Sequence, residues 1–235
     1  MTDRDPPQPN KPSPPSPGPA LEDEVATLRT RLAGHGLSSS HVEAFAAHFR
    51  LLRRWNPTHN LTRVVAAEDA AVLHYLDCAL PLLELPEPAP GRLLDIGSGA
   101  GFPGLIAAAV WPSTEVVLVE PARKRASFLQ VAAGELGLKN VRLSTPSAAR
   151  GAGDQAALVL TRATFSAGAR AELWDYVGAG GVLWAWTTHH NRATWETEAA
   201  TWSPTGITWH PYVLPALHGG EPASHGVLRV HRGPL

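Results

Sequence analysis

The sequence predicts an α/β fold, with a seven-stranded, mostly parallel sheet and helices on both of its faces. From Arg92 onward, short runs rich in β-branched residues alternate with helical patterns, which is typical of a parallel sheet. A glycine-rich loop closes the first of these runs, and a helical pattern follows it. The 235 residues, of which 44% are hydrophobic, are enough for one domain with a sizeable core.

The segment before this pattern is predicted to be a tail followed by helices. Residues 2–20 contain eight prolines among polar residues, so residues 1–20 are expected to form a disordered, proline-rich tail. Residues 21–235 are expected to form one domain, in which residues 21 to about 85 are an N-terminal helical extension. The first helix is predicted from apolar residues at helical spacing, namely Leu21, Val25, Leu28 and Leu32.

Two further helices are predicted in this extension. The second opens with Ser40 and Glu43 in capping-box positions and ends near Asn56-Pro57. Its inward face carries Val42, Phe45, Phe49 and Leu52. The third helix covers roughly residues 67–80 and presents Val72, Leu76 and Leu80 on one side.

Seven strands are predicted in the remainder of the chain. They lie near residues 92–96, 115–120, 141–145, 157–161, 181–187, 207–214 and 226–232. No clear helical pattern separates the last two strands, so we expect them to form an antiparallel pair at the edge of the sheet.

The glycine-rich loop is the first candidate binding element. It reads Asp-Ile-Gly-Ser-Gly-Ala-Gly-Phe-Pro-Gly from Asp95, with glycines at Gly97, Gly99 and Gly101. Glycines allow a sharp turn after a strand and a close approach of the backbone to a ligand. The spacing differs from the dinucleotide-binding pattern, and a carboxylate at Asp95 would repel phosphates. A nucleotide with a cationic end fits better, and S-adenosylmethionine, with its sulfonium and ammonium groups, is the common one.

Glu120 is the second candidate binding residue. It closes the second strand about twenty residues after the loop, where this topology places an acid that binds a ribose. The alternative is a surface carboxylate at a strand end, and the loop upstream favours the ribose-binding interpretation.

Composition limits the partners and the location. The net charge of −1 lacks the basic excess that is typical of proteins that bind naked nucleic acid. Cys78 is the single cysteine, which excludes an intramolecular disulfide and fits a reducing compartment. The sequence shows neither a leader pattern nor an apolar run long enough to cross a bilayer, so a cytoplasmic location is expected.

Several motifs in order resemble the RsmG family, also called glucose-inhibited division protein B. They are Asn60-Leu61-Thr62, His74 and Asp77 in His-Tyr-Leu-Asp, the loop from Asp95 to Gly104, Lys124-Arg125, Phe128-Leu129 and Arg162-Ala163. The resemblance spans roughly residues 40–230. It implies a class I S-adenosylmethionine-dependent methyltransferase fold that methylates guanine N7 in small-subunit (16S) ribosomal RNA.

The same resemblance implies a set of cofactor-binding positions. These are Gly97, Phe102, the backbone around Ala148 and Ala149, and Arg162, with Glu120 at the ribose. The chain departs from the family at Ser147-Ala148-Ala149, where the family usually has Arg-x-Glu. It also has Thr187 and Ser224 where the family has a lysine and an arginine. These departures bear on substrate handling more than on cofactor binding.

No acid or base residue is expected to act in catalysis. Guanine N7 carries an in-plane lone pair and no proton, so its methylation needs only in-line placement. Pyrimidine C5 methylation needs a thiolate, and Cys78 lies in the helical extension. The Asn/Asp-Pro-Pro-aromatic motif of amino-group methyltransferases is absent after the fourth strand. His74 and Asp77 are candidates for positioning the loop or the base, with a structural hydrogen-bonded pair as an equal alternative.

The other polar and aromatic candidates favour ordinary structural roles. The eleven histidines lack metal-ligand spacing, so no metal is expected. Core packing is favoured for Trp184 and Trp186 over stacking on an extruded guanine. A solvated face is the alternative to phosphate contacts for a set of cations, namely Arg50, Arg53, Arg54, Arg63, Arg123, Lys124 and Arg125.

Three functions remain open at this point. The first is methylation of 16S rRNA or of the small ribosomal subunit. The second is a methyltransferase of the same fold acting on a small molecule or protein, and the third is a non-catalytic ribosome-binding or assembly protein. The oligomeric state is left open, with a monomer as the default.

Overall fold

The computed structural model describes residues 19–84, 90–149, 155–162 and 169–234. Seven strands form one sheet in the order β3-β2-β1-β4-β5-β7-β6. The strands are β1 Arg92–Ile96, β2 Glu115–Val119, β3 Val141–Ser144, β4 Ala156–Arg162, β5 Val177–Thr188, β6 Gly206–Leu214 and β7 Ala223–His231. The first five are parallel, while β7 runs antiparallel between β5 and β6. The predicted α/β class and the final antiparallel pair are confirmed.

Eight α-helices are present in the described ranges. They are α1 Pro19–Leu32, α2 Ser39–His59, α3 Ala67–Ala70, α4 Asp77–Glu84, α5 Gly104–Val110, α6 Arg123–Glu135, α7 Pro146–Ala149 and α8 His189–Ala200. A π-helical segment, Ala71–Leu76, joins α3 to α4 without a break, and a 3₁₀ helix covers Arg170–Tyr176. Within the residues described, no helix combines the length and apolarity needed to cross a membrane.

Alternate residues of the central strands belong to two separate hydrophobic clusters. Leu93, Leu118 and Leu160 pack with the N-terminal helices, α5 and α6. Leu94, Val119 and Val159 pack with the 3₁₀ helix and α8 on the opposite face. Since neighbouring residues of a strand point to opposite faces, the sheet is covered on both sides.

The N-terminal helices pack on one face of this sheet. Val25, Leu28, Phe45, Phe49 and Leu76 are all nearly or fully buried, as the helical spacing predicts. Three ion pairs fasten α1 to α2 on their outer side, namely Arg29–Glu43, Arg50–Glu22 and Arg53–Glu24, each with a 2.7 Å contact. The extension is therefore packed into the same core as the sheet.

Both predicted ends of α2 were wrong. The N-cap is Ser38, whose hydroxyl accepts a hydrogen bond from the backbone of His41, so Ser40 and Glu43 do not form the capping box. The helix also passes through Pro57 and ends at His59, and its C-cap Asn60 adopts a left-handed conformation with φ of 49°. The residues closing the helix thus lie three positions beyond the predicted stop.

Candidate functional site

The glycine loop follows the carboxyl end of β1, a central strand, and lies against the carboxyl end of the neighbouring β2. Gly97, Gly99 and Gly101 all have positive φ, at 79°, 56° and 91°. The Gly97 amide donates to the carbonyl of Val119 at 2.9 Å, which keeps the loop against the end of β2. Such φ values are costly for residues with a Cβ, so this loop shape depends on glycine.

The glycines do not all serve the same purpose. A Cβ on Gly99 would meet only the Gly97 carbonyl oxygen, at 3.7 Å, and Gly99 faces a cavity. A Cβ on Gly101 would lie 2.4 Å from the Leu105 side chain, inside the protein. Gly101 therefore permits packing of α5, and the structure gives no support to the predicted ligand contact at that position.

Asp95 lies beneath the loop rather than in the cavity wall. It is fully buried, and its Oδ2 accepts a hydrogen bond from the Gly104 amide at 3.0 Å. Burial raises the pKa of Asp95 to about 7, although hydrogen bonds from Ser98 and Gly104 oppose the rise. Its Oδ1 has no hydrogen-bond partner among the described residues. The predicted direct contact of this carboxylate with a cationic ligand thus lacks the required placement, and Asp95 shapes the loop and α5 instead.

Glu120 holds the loop from the end of β2. Its Oε2 accepts from the Gly99 amide and its Oε1 from the Ala122 amide, both at 2.9 Å. Only 4% of the residue is exposed, yet it lines the cavity. Each carboxylate oxygen can accept more than one hydrogen bond, so Glu120 can bind ligand hydroxyls while keeping the loop in place.

A cavity of about 520 Å³ opens above these residues. Its wall combines the glycine loop, the ends of β2 and β4, the start of α6, the segment after α2 and the π-helical segment. The lining residues are Leu61, Thr62, His74, Gly97, Ser98, Gly99, Ala100, Phe102, Glu120, Pro121, Arg125 and Arg162. Five of the predicted cofactor positions therefore meet in one place: Gly97, Gly99, Phe102, Glu120 and Arg162.

His48 connects the N-terminal helices to the loop. It is fully buried, with Nε2 3.0 Å from the Ala100 carbonyl oxygen and Nδ1 2.8 Å from the Tyr75 hydroxyl. Burial lowers the pKa of His48 to about 4, so the ring is neutral at physiological pH. Phe102 packs edge-on against both His48 and Tyr75. The extension therefore supports the binding loop directly.

His74 stands in the cavity wall and stacks on Phe102, with ring centroids 4.6 Å apart. Its Nε2 lies 2.8 Å from the Thr62 hydroxyl, which also accepts the Val64 amide. Burial, and then the charge of Arg162, lowers the pKa of His74 to about 3. A histidine with that pKa is neutral and a weak base, so His74 is suited to shaping the cavity and not to accepting a proton.

Asp77 is buried behind the cavity and does not pair with His74. Its Oδ2 forms an ion pair with Arg162 Nε at 3.0 Å. Its Oδ1 accepts from the Tyr212 hydroxyl at 2.7 Å and lies 2.9 Å from His225 Nδ1. Burial alone would raise the pKa of Asp77, but the His225 hydrogen bond and the Arg162 charge outweigh it and leave the pKa below its ordinary value. The predicted His74–Asp77 pair is replaced by two separate contact networks that meet at Arg162.

Ala148 and Ala149 do not reach the cavity. They belong to α7, where the Ala148 amide donates to the Thr145 hydroxyl and the Ala149 amide to the Thr145 carbonyl. The adenine contact implied at their backbone therefore has no support from the described geometry. Ala163, which carried part of the family resemblance, lies outside the described residues.

Thr187 and Ser224, the two residues that differ from the family's lysine and arginine, lie near one another at the carboxyl end of β5. Thr187 pairs with Gly226 and Thr188 with His225, so this part of β7 borders the carboxyl end of β5. Trp184 and Trp186 are both buried in the core beside one another, in agreement with the packing interpretation.

The candidate phosphate-binding cations fall into two groups. Arg50 and Arg53 are neutralised by α1 glutamates. Arg54, Arg63, Arg123, Lys124 and Arg125 form no ion pair within the part of the chain that the structure describes, and Arg125 lines the cavity. Across the same described ranges, no group of three or more His, Cys, Asp or Glu side chains is arranged to hold a metal ion.

Sequence reasoning missed several residues that build the site. His48 sits three positions after Phe45 on the buried face of α2, and a histidine on an otherwise apolar face was the available signal. Tyr212 and His225 gave no local signal, because they reach Asp77 from 135 and 148 residues away in the sequence.

Comparison with solved structures supports the fold. A precorrin-6y C5,15-methyltransferase from Geobacter metallireducens superposes with a TM-score of 0.50 at 14% identity, covering 66% of this chain and 87% of that one. At this identity the likeness shows the fold alone.

Comparison with known sequences gives the family. The ribosomal RNA small subunit methyltransferase G of Nitrosospira multiformis is 41% identical over 128 residues, covering 54% of this chain and 56% of the relative. The same-named protein of Streptococcus pyogenes is 41% identical over 109 residues, or 46% of each chain. The matched region thus spans about half the length of these curated relatives. The family model for GidB, rRNA small subunit methyltransferase G, matches residues 41–213, and the chain belongs to this family.

Proposed function

We propose that this protein transfers a methyl group from S-adenosylmethionine to N7 of a guanine in small-subunit (16S) ribosomal RNA. The observation that carries the proposal is the cavity of about 520 Å³, where the glycine loop, Glu120, His74 and Arg162 meet. Membership in the GidB family indicates the substrate class. In this proposal residues 21–235 form one methyltransferase domain. The protein acts in the cytoplasm, and the reaction uses no metal ion.

The residues present fit S-adenosylmethionine. The Gly97–Phe102 main chain forms a cradle without a Cβ at Gly99, and Glu120 offers a charged acceptor for ribose hydroxyls. When bound, S-adenosylmethionine supplies an electrophilic methyl group on a sulfonium.

The protein's own contribution is placement and solvent exclusion. N7 already carries a lone pair, so no group has to remove a proton from the base. His74 and His48 are neutral, and each uses its ring nitrogens in contacts to the surrounding protein. They hold the cavity wall in one arrangement, against which an in-line approach of base and methyl group can be organised.

The environment of Cys78 supports this choice of acceptor atom. Cys78 is fully buried, and burial raises the pKa of its thiol above the ordinary value. A buried, protonated thiol is a poor nucleophile. Methylation of a pyrimidine carbon through a cysteine adduct therefore has no support at this residue.

Cations near the cavity favour a polyanionic substrate over a small neutral one. Arg125 lines the cavity at the first turn of α6, next to Lys124 and Arg123, and all three are exposed. Three cations at a helix N-terminus oppose the helix dipole, so their placement costs stability unless an anion approaches. RNA phosphates are anions that suit this position.

The test is methyl transfer to small subunits isolated from a strain that lacks the enzyme. We expect one equivalent of 7-methylguanosine in the 16S rRNA by mass spectrometry of nucleosides, and none on RNA carrying 7-deazaguanine at the target. Methylation of the deaza substrate would refute the N7 assignment. Methylation of a protein or small molecule instead would favour the second candidate function, while cofactor binding without any transfer would favour the assembly role.

A further inference from the structure

Asp77 links the cavity wall to the last two strands of the sheet. One carboxylate oxygen forms the ion pair with Arg162 at 3.0 Å. The other accepts a hydrogen bond from Tyr212 at 2.7 Å and lies 2.9 Å from His225. Only 4% of Asp77 is exposed, whereas the Arg162 side chain is 20% exposed and lines the cavity. The contacts therefore connect a buried anchor to a group that faces the ligand space.

The anchor is held at its backbone as well as at its side chain. The Asp77 carbonyl accepts from the Trp186 indole at 2.8 Å and lies 3.1 Å from the Tyr212 hydroxyl oxygen, whose single proton is donated to the carboxylate. Burial, and then the Asp77 charge, raises the pKa of Tyr212, so this hydroxyl keeps its proton and remains a donor. Strands β5, β6 and β7 thus fix the position of one carboxylate.

An arginine side chain has many rotamers, and it loses that freedom when a fixed carboxylate holds its Nε. Here the Arg162 Nη2 also donates to the Leu73 carbonyl, in the π-helical segment. The guanidinium is thereby tied both to Asp77 and to the helix that carries His74 into the cavity. Its orientation toward the ligand is set before any ligand arrives.

We propose that Asp77, together with Tyr212 and His225, is a positioning device for Arg162 in the proposed methyl transfer. The inference rests on the proposed function, because it takes Arg162 as a ligand-contacting residue of the proposed methyltransferase cavity. The three positioning residues act only through Arg162 and touch no substrate.

The first test is spectroscopic and uses the free protein. In wild-type protein labelled with ¹⁵N-arginine, the Arg162 Nε–H should exchange slowly with water and give a sharp signal. Tyr212→Phe removes one hydroxyl and keeps the ring, and His225→Leu removes the ring nitrogen. Their combination should make this signal exchange faster, while His225→Asn, which retains an N–H donor, should restore it in part.

The second test separates positioning from a purely structural role. The Tyr212→Phe/His225→Leu variant should lose roughly ten- to a hundredfold in kcat, with KM for the small subunit changed by less than about threefold. Adding Asp77→Asn to the Arg162→Met variant should then lower kcat by less than about twofold, because Asp77 acts through the Arg162 guanidinium, which that variant lacks. A multiplicative loss in this double variant would overturn the proposal.

A matched control comes from a second histidine–aspartate contact. His218 Nε2 lies 2.6 Å from Asp69 Oδ1 at an exposed position outside the cavity, so His218→Leu should change neither the Arg162 signal nor kcat. If the Tyr212 and His225 variants lower the melting temperature but leave that signal and kcat unchanged, the cluster is only structural. If the wild type transfers no methyl group to RNA, the proposed function fails, and an unprotected Arg162 signal would independently refute the positioning.

Discussion

Glu120→Gln is expected to weaken S-adenosylmethionine binding by about tenfold to 150-fold. The carboxylate is 4% exposed and already accepts two backbone amides at 2.9 Å. A charge-assisted hydrogen bond to a ribose hydroxyl contributes about 1.5 to 3 kcal/mol, and each 1.4 kcal/mol is a factor of ten in affinity. The glutamine removes the charge and also turns an N–H₂ group toward the Gly99 or Ala122 amide.

Calorimetric titration of S-adenosylmethionine and its demethylated product measures this effect. Glu115→Gln is the matched control, since Glu115 begins the same strand but faces Arg142 at 2.7 Å, at the opposite end from the cavity. A ligand analogue without ribose hydroxyls should bind wild type and Glu120→Gln within about threefold of each other. Equal affinity of both proteins for the natural ligand would refute the assignment of Glu120 to the ribose.

Three further outcomes are expected. Gly99→Val should abolish cofactor binding, whereas Gly137→Val, at a similar positive φ but with nothing within 4 Å of its Cβ, should cost about 1–3 kcal/mol of stability and leave calorimetric affinity unchanged. Single-turnover methylation should be nearly flat from about pH 6.5 to 8.5, and a steep rise across neutral pH would argue for a general base. The lowered pKa values of His48 and His74, near 4 and 3, should reduce the protein's free energy of unfolding as the pH falls below 6.5. The reason is that the unfolded chain binds those two protons more readily than the folded protein does. The raised pKa of Asp95, near 7, has the opposite effect, because the folded protein binds this proton more readily than the unfolded chain. In denaturant titrations between pH 7 and 5.5, the free energy of unfolding of Asp95→Asn should therefore fall by about 1–2 kcal/mol more than that of the wild type. Equal falls in the two proteins would contradict the raised pKa.

The sheet was predictable because strand and helix patterns differ in period and alternate regularly after Arg92. The predicted β1 matches the observed strand at both ends, while β5 begins four residues before its predicted start. These four residues include Gly178 and Gly180, which carry no strand signal of their own. There β5 pairs with β4 only at Val177, and the Gly180 amide donates to the Gly233 carbonyl, so tertiary hydrogen bonds and not local preference extend the strand.

The site was only half predictable, for a related reason. The glycine loop and Glu120 are local patterns, so their positions in the fold followed from the sequence. His48 and Tyr212 contact the loop and Asp77 across 52 and 135 residues of sequence, and no local pattern reports such contacts. Pro57 misled the prediction of α2 because its ring suggests a stop, whereas the Asn56 side chain bonds the Thr62 backbone and closes the helix further on.

The place of β7 between β5 and β6 has a consequence for biosynthesis. On the ribosome, Asp77 is made 148 residues before His225, and β5 emerges with the edge that β7 later covers still unpaired. An unpaired edge is a site for wrong association. The sheet lacks the strand that pairs with β5, and the Asp77 carboxylate lacks its contact with His225, until residues 223–231 have been synthesised. Nascent chains should therefore be most prone to aggregation late in translation, and the Asp77 anchor of Arg162 is complete only once β7 has formed.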